Sequence, residues 1–449
     1  MKANPRKLGV IALVAATYCM VAGGPFGLED IVGKSGYLRA IIILGITALV
    51  WALPTTLMVG ELSSALPKEG GFYAWVRFGM GDFWGFQEGW LSYVGSVFDM
   101  AIYPTLFVAY IGHLWPQLNQ GHLPVLIGVA MIVACTLWNL RGAHVVGLGS
   151  IGSTILLLSP FAVVSLLALF HHGVSSPATT ASNIKLDILG GILIAMWNFM
   201  GWDNSSTIAE EVENPKRTYP LAMFLAIALV TLTYVLPIFA IWKSGLDLSV
   251  WDTGGWVDIG QAIGGNWFAA AIMLAGAVAT MSTFLALTLS LSRLPSAMAK
   301  DGFLPKIFAR ENSAGVPWVA VVVSSAVYAS ALCLSFEKIL TLDVLLTSLS
   351  ILLEFVALVV LRVRQPNLPR PFRVWGGTTG AILCGLGPLV LIVIAIIKAG
   401  DEQIGPISAL HLGIALILLG APVYFVSKYF RNKSRPKKYI KPRAWFPND

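Results

Sequence analysis

Asp99, Asp203 and Glu354 stand in the middle of otherwise apolar runs, Glu29 and Asp30 follow a glycine-rich break, and Glu61 closes another run. No Lys or Arg lies deep in any of these runs to neutralise them. A carboxylate in hydrocarbon costs about 2.5–3.5 kcal/mol even on insertion scales, so such acids mark functional positions by default. Acids without bases create a negative potential that is strong at low dielectric, and the chemistry they suit is the binding of an ammonium group or a proton. Plainer roles stand beside this one. Asp203 suits the cap of a half-helix starting at Asn204, Asp99 a hydrogen bond to a neighbouring helix, and Glu354 a cap or a snorkelling position near a helix end. Glu29 and Asp30 suit an outer, cation-attracting rim, and Glu61, Glu210, Glu211 and Glu213 suit caps and gate contacts. Trp197, Trp202 and Tyr103 offer aromatic faces on which an ammonium gains about 0.5–2 kcal/mol, although most of the 15 Trp must serve packing or interfaces.

The elements that position these side chains are membrane helices. With 56% hydrophobic and 12% charged residues and a mean hydropathy of +0.76, the chain is too apolar for a soluble globular protein. Its apolar runs read as about twelve spans, near 8–33, 38–62, 83–111, 123–140, 147–170, 188–213, 218–243, 264–292, 317–335, 340–361, 379–398 and 407–430. Cys19, Cys135, Cys333 and Cys384 lie in apolar runs without CxxC spacing, so no disulfide framework is expected. No removable signal peptide is expected either.

When a cytoplasmic N-terminus is followed by alternating spans, 24 of the 30 Lys and Arg fall on the cytoplasmic side. The positive-inside rule therefore predicts an even span number with both termini inside. The net charge of +7 is then a topology and lipid signal rather than a nucleic-acid footprint. Two connectors, 68–81 and 294–310, mix aromatic and basic residues and read as short helices lying at the interface.

Two spans are broken. The first carries Gly23-Gly24-Pro25-Phe26-Gly27 and the sixth Gly201-Trp202-Asp203-Asn204-Ser205-Ser206. Irregular backbone at membrane depth is tolerated only against protein or a water-filled cavity. Two breaks five spans apart point to an inverted repeat with its site at the midplane. There, unpaired N–H and C=O groups at half-helix ends can meet a substrate or an ion. The predicted fold is thus an all-α polytopic membrane protein. It has a five-plus-five inverted core over 8–361 (halves 8–170 and 188–361), two further helices over 379–430 and a basic cytoplasmic tail over 431–449.

Several segments resemble polyamine uptake permeases of the amino acid–polyamine–organocation superfamily. These are Gly24-Pro25-Phe26-Gly27-Leu28-Glu29-Asp30, Gly85-Phe86-Gln87-Glu88-Gly89-Trp90, Asp99-Met100-Ala101-Ile102-Tyr103-Pro104 and Trp202-Asp203. Further along come Glu211-Val212-Glu213-Asn214-Pro215-Lys216, Asp301-Gly302-Phe303-Leu304-Pro305 and Leu353-Glu354-Phe355. The resemblance runs from about residue 8 to 375 and implies a carrier of the LeuT-like fold with alternating access. It implies that Asp203 binds substrate or takes a coupling proton, and it puts Trp197 at the family's aromatic gate. The candidate substrate residues are Gly23, Gly24, Gly27, Asp99, Tyr103, Trp197, Gly201, Trp202, Asp203 and Glu354. Ala279, Ser282 and Thr283 resemble a sodium site of coupled relatives, although hydroxyls at helical spacing also serve packing.

Two departures bear on substrate and coupling. Amino acid carriers of the superfamily usually have a Gly-Ser-Gly or Gly-Thr-Gly run in span 1; here Pro25 removes one N–H donor, which suits a substrate without a carboxylate. Span 5 lacks the lysine of proton-coupled amino acid relatives, leaving proton use to Asp203, Asp99 or Glu354. Plant polyamine carriers place an acid in span 8, where this chain has Phe284-Leu285-Ala286-Leu287.

The six His make no HExxH spacing, and GxSxG, P-loop and paired-Cys motifs are absent from the sequence, so no enzyme, cofactor or resident metal is expected. A channel would more naturally show a re-entrant filter or a pore-lining ring. The expectation is a secondary transporter of the cytoplasmic membrane that takes up a small cationic amine such as putrescine or spermidine. An amino acid permease or exchanger is the alternative. A proton is favoured over sodium as the driving ion, the bilayer and the small molecule are the partners, and the sequence does not give the oligomeric state.

Overall fold

A computed structural model of the chain describes residues 8–68, 70–142, 150–170, 186–246 and 251–434. The basic tail expected over 431–449 lies outside the described residues from 435 onward, as do Lys2, Arg6 and Lys7 of the N-terminus. The architecture is helical. Strand is confined, among the described residues, to the hairpin of Gln403–Ile404 with Ile407–Ser408 and an isolated bridge between Leu8 and Val212. Seven helices are long and apolar enough to cross a membrane, by length and composition.

Chain order gives α1 (Val10–Val21), α2 (Glu29–Ser35), α3 (Tyr37–Ala65, with a π turn at Ala48–Ala52), α4 (Gly71–Met80) and α5 (Asp82–Leu114). Next come α6 (Leu123–Asn139), α7 (Ser150–Phe170), α8 (Ile188–Asn198) and a 3-10 segment, Asp203–Glu211. After it follow α9 (Pro215–Ser244), α10 (Trp256–Gly264), α11 (Asn266–Leu291), α12 (Arg293–Lys300) and α13 (Trp318–Ser330). The last three are α14 (Phe336–Arg364), α15 (Gly377–Asp401) and α16 (Ala409–Ser434). Helices α5 and α14 pack on each other along the centre, with α11, α4 and α8 around them. At the periphery, α15 and α16 leave apolar side chains such as Leu383, Val390, Leu418 and Phe425 exposed, the composition expected of a lipid-facing surface.

The first break lies between α1 and α2. Gly23, Gly24 and Gly27 take φ of 55°, 96° and 83°, a region glycine enters without a Cβ penalty, and Pro25 cannot donate a helical bond. Side chains satisfy the freed backbone: Trp256 Nε1 donates to the Pro25 carbonyl at 2.8 Å, and Gly27 N–H donates to Tyr110 Oη at 2.9 Å. Tyr110 in turn donates to Glu29 at 2.7 Å. The second break follows α8. There Trp51 and Trp202 donate to the Phe199 carbonyl at 3.1 and 2.8 Å, and Tyr234 donates to the Asn198 carbonyl at 2.9 Å. Buried backbone polar groups must find partners, and here aromatic donors supply them.

Ion pairs tie each end of the bundle. At one end Lys34 pairs with Asp187 and Glu337, and Lys398 reaches Asp187 at 2.9 Å. Burial pushes the Asp187 carboxyl up, but the Gly190 N–H, Lys398 and Lys34 outweigh it and hold the group below its ordinary value. At the other end Asp82 bridges Arg77 and Arg431, both at 2.7 Å, and Arg77 also pairs with Asp301. Glu61 is fully buried against Arg362 and Arg370. Glu61 is therefore the centre of an internal salt bridge, beyond the cap the sequence suggested. The two short connector helices form, but α4 buries Phe72, Tyr73, Trp75 and Val76 and α12 buries Leu294 and Met298. Both pack one face against the core of the bundle.

Candidate functional site

Both breaks border one narrow cavity between α5 and α14, about 40 Å³ in volume. Its wall includes Met20 and Val21 of α1, Gly201, Asp203 and Asn204 of the second break, and Phe72 and Leu291. Gly201, at φ 88°, lies so close to α1 that a Cβ there would stand 2.8 Å from the Met20 carbonyl oxygen. The two broken segments thus meet at the cavity wall, which requires a glycine.

Helix α5 presents Asp99 and Tyr103 one turn apart on one face. Tyr103 Oη and Trp197 Nε1 both donate to Asp99 Oδ1, each at 3.1 Å. Trp197 closes this end of the cavity, its ring centroid 6.2 Å from those of Tyr103 and Phe336. Gly27 lies against the same indole, where a Cβ would meet Cζ3 at 2.8 Å. From α14, Asp343 enters the wall and accepts from Thr347 Oγ1 at 2.8 Å. Asp203 opens the 3-10 segment and is buried; its Oδ1 has no hydrogen-bond partner among the described residues. Three aspartates therefore converge on the cavity, and among the described residues its wall contains no Lys, Arg or His. Such a cavity attracts a cation.

Of the residues expected from sequence, Asp99, Tyr103, Trp197, Gly201 and Asp203 line the cavity together. Gly23, Gly24 and Gly27 shape the break behind it, Gly23 against Thr283 and Gly24 against Leu157. Trp202 is fully buried and spends its N–H on the Phe199 carbonyl, so it braces the break without facing the cavity. Glu354 is fully buried beyond the cavity wall. Glu29 does not form an outer rim: it has no exposed surface and holds Tyr110, while Asp30 accepts from Thr253 at 2.7 Å. Among the possible ion ligands, Thr283 and Ala279 are buried, Thr283 beside Gly23, and Ser282 is half-buried.

Sequence reasoning missed Asp343 and Glu88. Asp343 sits in Leu340-Thr341-Leu342-Asp343-Val344, near enough to the start of its run to pass for a boundary residue. Glu88 sits in a segment that looked like a family mark. The signal was helical spacing: Asp343 leads Thr347, Ser350 and Glu354 along one face, and Glu88 leads Ser92, Ser96 and Asp99 along another.

A polytopic helical protein with broken spans around a buried, acid-lined cavity has the architecture of a membrane carrier. The chain matches the amino acid permease family over residues 8–446 and belongs to it; it is a multi-pass membrane transporter, not an enzyme. It is similar to the polyamine transporter RMV1 of Arabidopsis thaliana, 34% identical over 415 residues, covering 92% of this chain and 84% of that one. It is also similar to the polyamine transporter PUT1 of Oryza sativa subsp. japonica, 34% identical over 436 residues (95% and 80%). An uncharacterized transporter of Mycobacterium tuberculosis is 29% identical over 336 residues, or 72% of this chain and 73% of that one.

Proposed function

We propose that the chain takes up a small cationic amine, a polyamine such as putrescine or spermidine, across the cytoplasmic membrane by alternating access, driven by a proton. The observation that carries this reading is the convergence of Asp99, Asp203 and Asp343 on one cavity with no basic residue among the described residues of its wall. Two ammonium groups joined by a short apolar chain match acids set around an apolar and aromatic lining. The two plant relatives named as polyamine transporters support the same substrate. In this reading Asp203 and Asp99 bind ammonium groups, and Tyr103 and Trp197 position Asp99 and cover the ligand. Gly201 lets the two breaks approach, and Gly23, Gly24 and Gly27 keep the first break open.

The seven long helices, the four shorter apolar ones and α8 with its 3-10 segment make about twelve passes. The paired breaks then sit at equivalent places in two inverted halves, 8–170 and 188–361, with 379–430 outside the repeat and both termini in the cytoplasm. An amino acid is the second reading, favoured by the family description. Sodium at Ala279, Ser282 and Thr283 is the second reading for the driving ion.

Uptake of labelled putrescine, spermidine and arginine into proteoliposomes tests this, with Asp203→Asn beside the wild type. The variant is expected to insert and fold normally and to lose amine uptake by tenfold or more, the scale of about 1.4 kcal/mol or above. Near-wild-type uptake by Asp203→Asn would remove Asp203 from the site, and arginine carried in preference to both polyamines would favour the second reading.

A further inference from the structure

Beyond the cavity wall, the facing stripes of α5 and α14 continue toward the end of the bundle that carries Arg77, Asp82 and Arg431. On α5 the stripe runs Tyr103, Asp99, Ser96, Ser92, Glu88; on α14 it runs Asp343, Thr347, Ser350, Glu354. Successive members are three or four residues apart, so each set shares a helix face. The stripes touch: Ser92 Oγ and Ser350 Oγ lie 2.7 Å apart, both hydroxyls donate to Glu88 Oε1, and both serines line the cavity. Glu354, one turn past Ser350 on that same face, is thereby set beside Glu88.

Both glutamates are fully buried. Glu88 Oε2 and both carboxyl oxygens of Glu354 have no hydrogen-bond partner among the described residues. The other charged group that acts on the two is Asp203, also an acid. Several basic residues of the elements packed here have partners of their own: Arg77 of α4 and Arg431 of α16 pair with Asp82, Arg362 of α14 with Glu61, and Lys300 of α12 with Glu311, while Arg364 of α14 donates to the Gly79 carbonyl. Two carboxyls in this setting require a cationic ligand, because an unpaired buried charge is too costly to keep. The cavity lining includes Ser92 and Ser350 but neither glutamate, so a ligand at the pair is reached past the two hydroxyls, and a metal ion there would need a ligand shell. A proton needs none.

We infer that Glu88 and Glu354 form the proton-carrying pair of this transporter, joined to the substrate cavity through Ser92 and Ser350 and sensing the bound amine through Asp203. The inference rests on the proposed proton-driven reading and assigns the proton to a place apart from the amine. One proton enters through the cavity, binds one carboxyl oxygen of the pair, and leaves to the opposite side when the site reopens; an O–H bond forms and breaks, and no other bond changes. An amine bound at Asp203 changes the potential at the pair, which couples the two ligands reciprocally.

The test separates driven uptake from exchange. Wild-type, Glu88→Gln and Glu354→Gln proteins are reconstituted with a pH dye inside the vesicles, and folding is checked by thermal midpoint. Labelled putrescine, spermidine and arginine are followed in two modes: accumulation driven by an imposed pH gradient, and counterflow without a gradient. Each Gln variant is expected to lose pH-driven accumulation and solute-coupled acidification about tenfold or more, within the usual range of coupling. Both should keep counterflow and lose its pH dependence. The inference is overturned if both variants accumulate solute with the wild-type pH response, if they lose counterflow along with accumulation, or if wild-type accumulation follows sodium. Wild-type vesicles that exchange none of the three solutes would instead overturn the substrate reading. An unaltered pH response in both Gln variants, with wild-type exchange intact, would overturn the pair alone.

Discussion

Asp99 receives two donors on one oxygen, from Tyr103 on its own helix and from Trp197 on α8. The second bond joins the last turn of α8, just before the break, to α5, so the lid and the acid are set by one contact. An ammonium at Asp99 would lie within reach of the Trp197 face, where cation–π attraction is worth about 0.5–2 kcal/mol. Trp197→Phe keeps a ring but removes the N–H; Trp197→Ala removes both. The expected order of amine affinity is wild type, then Phe, then Ala, with the Ala variant weakened roughly two- to thirtyfold. Isothermal titration with putrescine measures it, and equal affinities across the series would remove Trp197 from the ligand. The residue scale is also where the sequence was least legible. Asp99, Tyr103, Trp197 and Asp203 stood out because each interrupts or flanks an apolar run. Asp343 and Glu88 were hidden because they lie near run boundaries, where an acid is ordinary, and only the partner helix reveals that each faces inward. Trp202 misled for the opposite reason: its neighbours are functional in type, yet its N–H is needed by the Phe199 carbonyl.

At the scale of elements, the first break was visible as a glycine cluster and the second as a glycine followed by polar residues in a run too short to span, and the structure places helix ends at Val21 and Asn198. What satisfies them was not visible. Sequence reasoning left the freed backbone groups for a ligand, whereas Trp51, Tyr110, Trp202, Tyr234 and Trp256 take the Pro25, Gly27, Asn198 and Phe199 groups. Apart from Trp202, three residues from Phe199, these partners come from positions distant in the chain, which no local pattern encodes. The broken helices are therefore braced, and the cavity is defined by side-chain acids more than by open backbone. Gly201 is the sharpest point of this bracing. A Cβ at φ 88° is strained and would stand 2.8 Å from the Met20 carbonyl oxygen; held non-glycine residues of this kind cost about 1–3 kcal/mol. Gly201→Ala is expected to separate the two breaks and reduce uptake at least about tenfold. Gly245→Ala is the control: it has φ 75° with open space around the added atom and should transport normally. Equal uptake by the two variants would show that the approach of the breaks is not required.

Across the whole molecule, the hydropathy of the chain announced a membrane protein, and the alternation of basic residues sorted its connectors into two sets. The ion networks respect that sorting. Lys34, Lys398, Asp187 and Glu337 meet at one end, and Arg77, Arg431, Asp82 and Asp301 at the other. Glu61 belongs with the second group but is of a different kind, because no part of its side chain or that of Arg362 is exposed. It receives Arg362 Nε at 2.9 Å, the Val374 N–H at 2.8 Å and Arg370 Nε at 3.3 Å. Through it α3 is joined to α14 and to the connector that leads into α15, outside the proposed repeat. An exposed pair would contribute little; removing one partner of a buried pair costs about 3–5 kcal/mol, because the remaining charge is left without compensation. Glu61→Ala should therefore lower the thermal midpoint in detergent sharply. Replacing Arg362 with Met in the same chain should recover most of the loss, since the cost comes from the stranded guanidinium rather than from a missing attraction. A double variant no more stable than Glu61→Ala would mean that the network holds the connector by its hydrogen bonds to Val374 and Gly377, and that charge pairing is secondary to them.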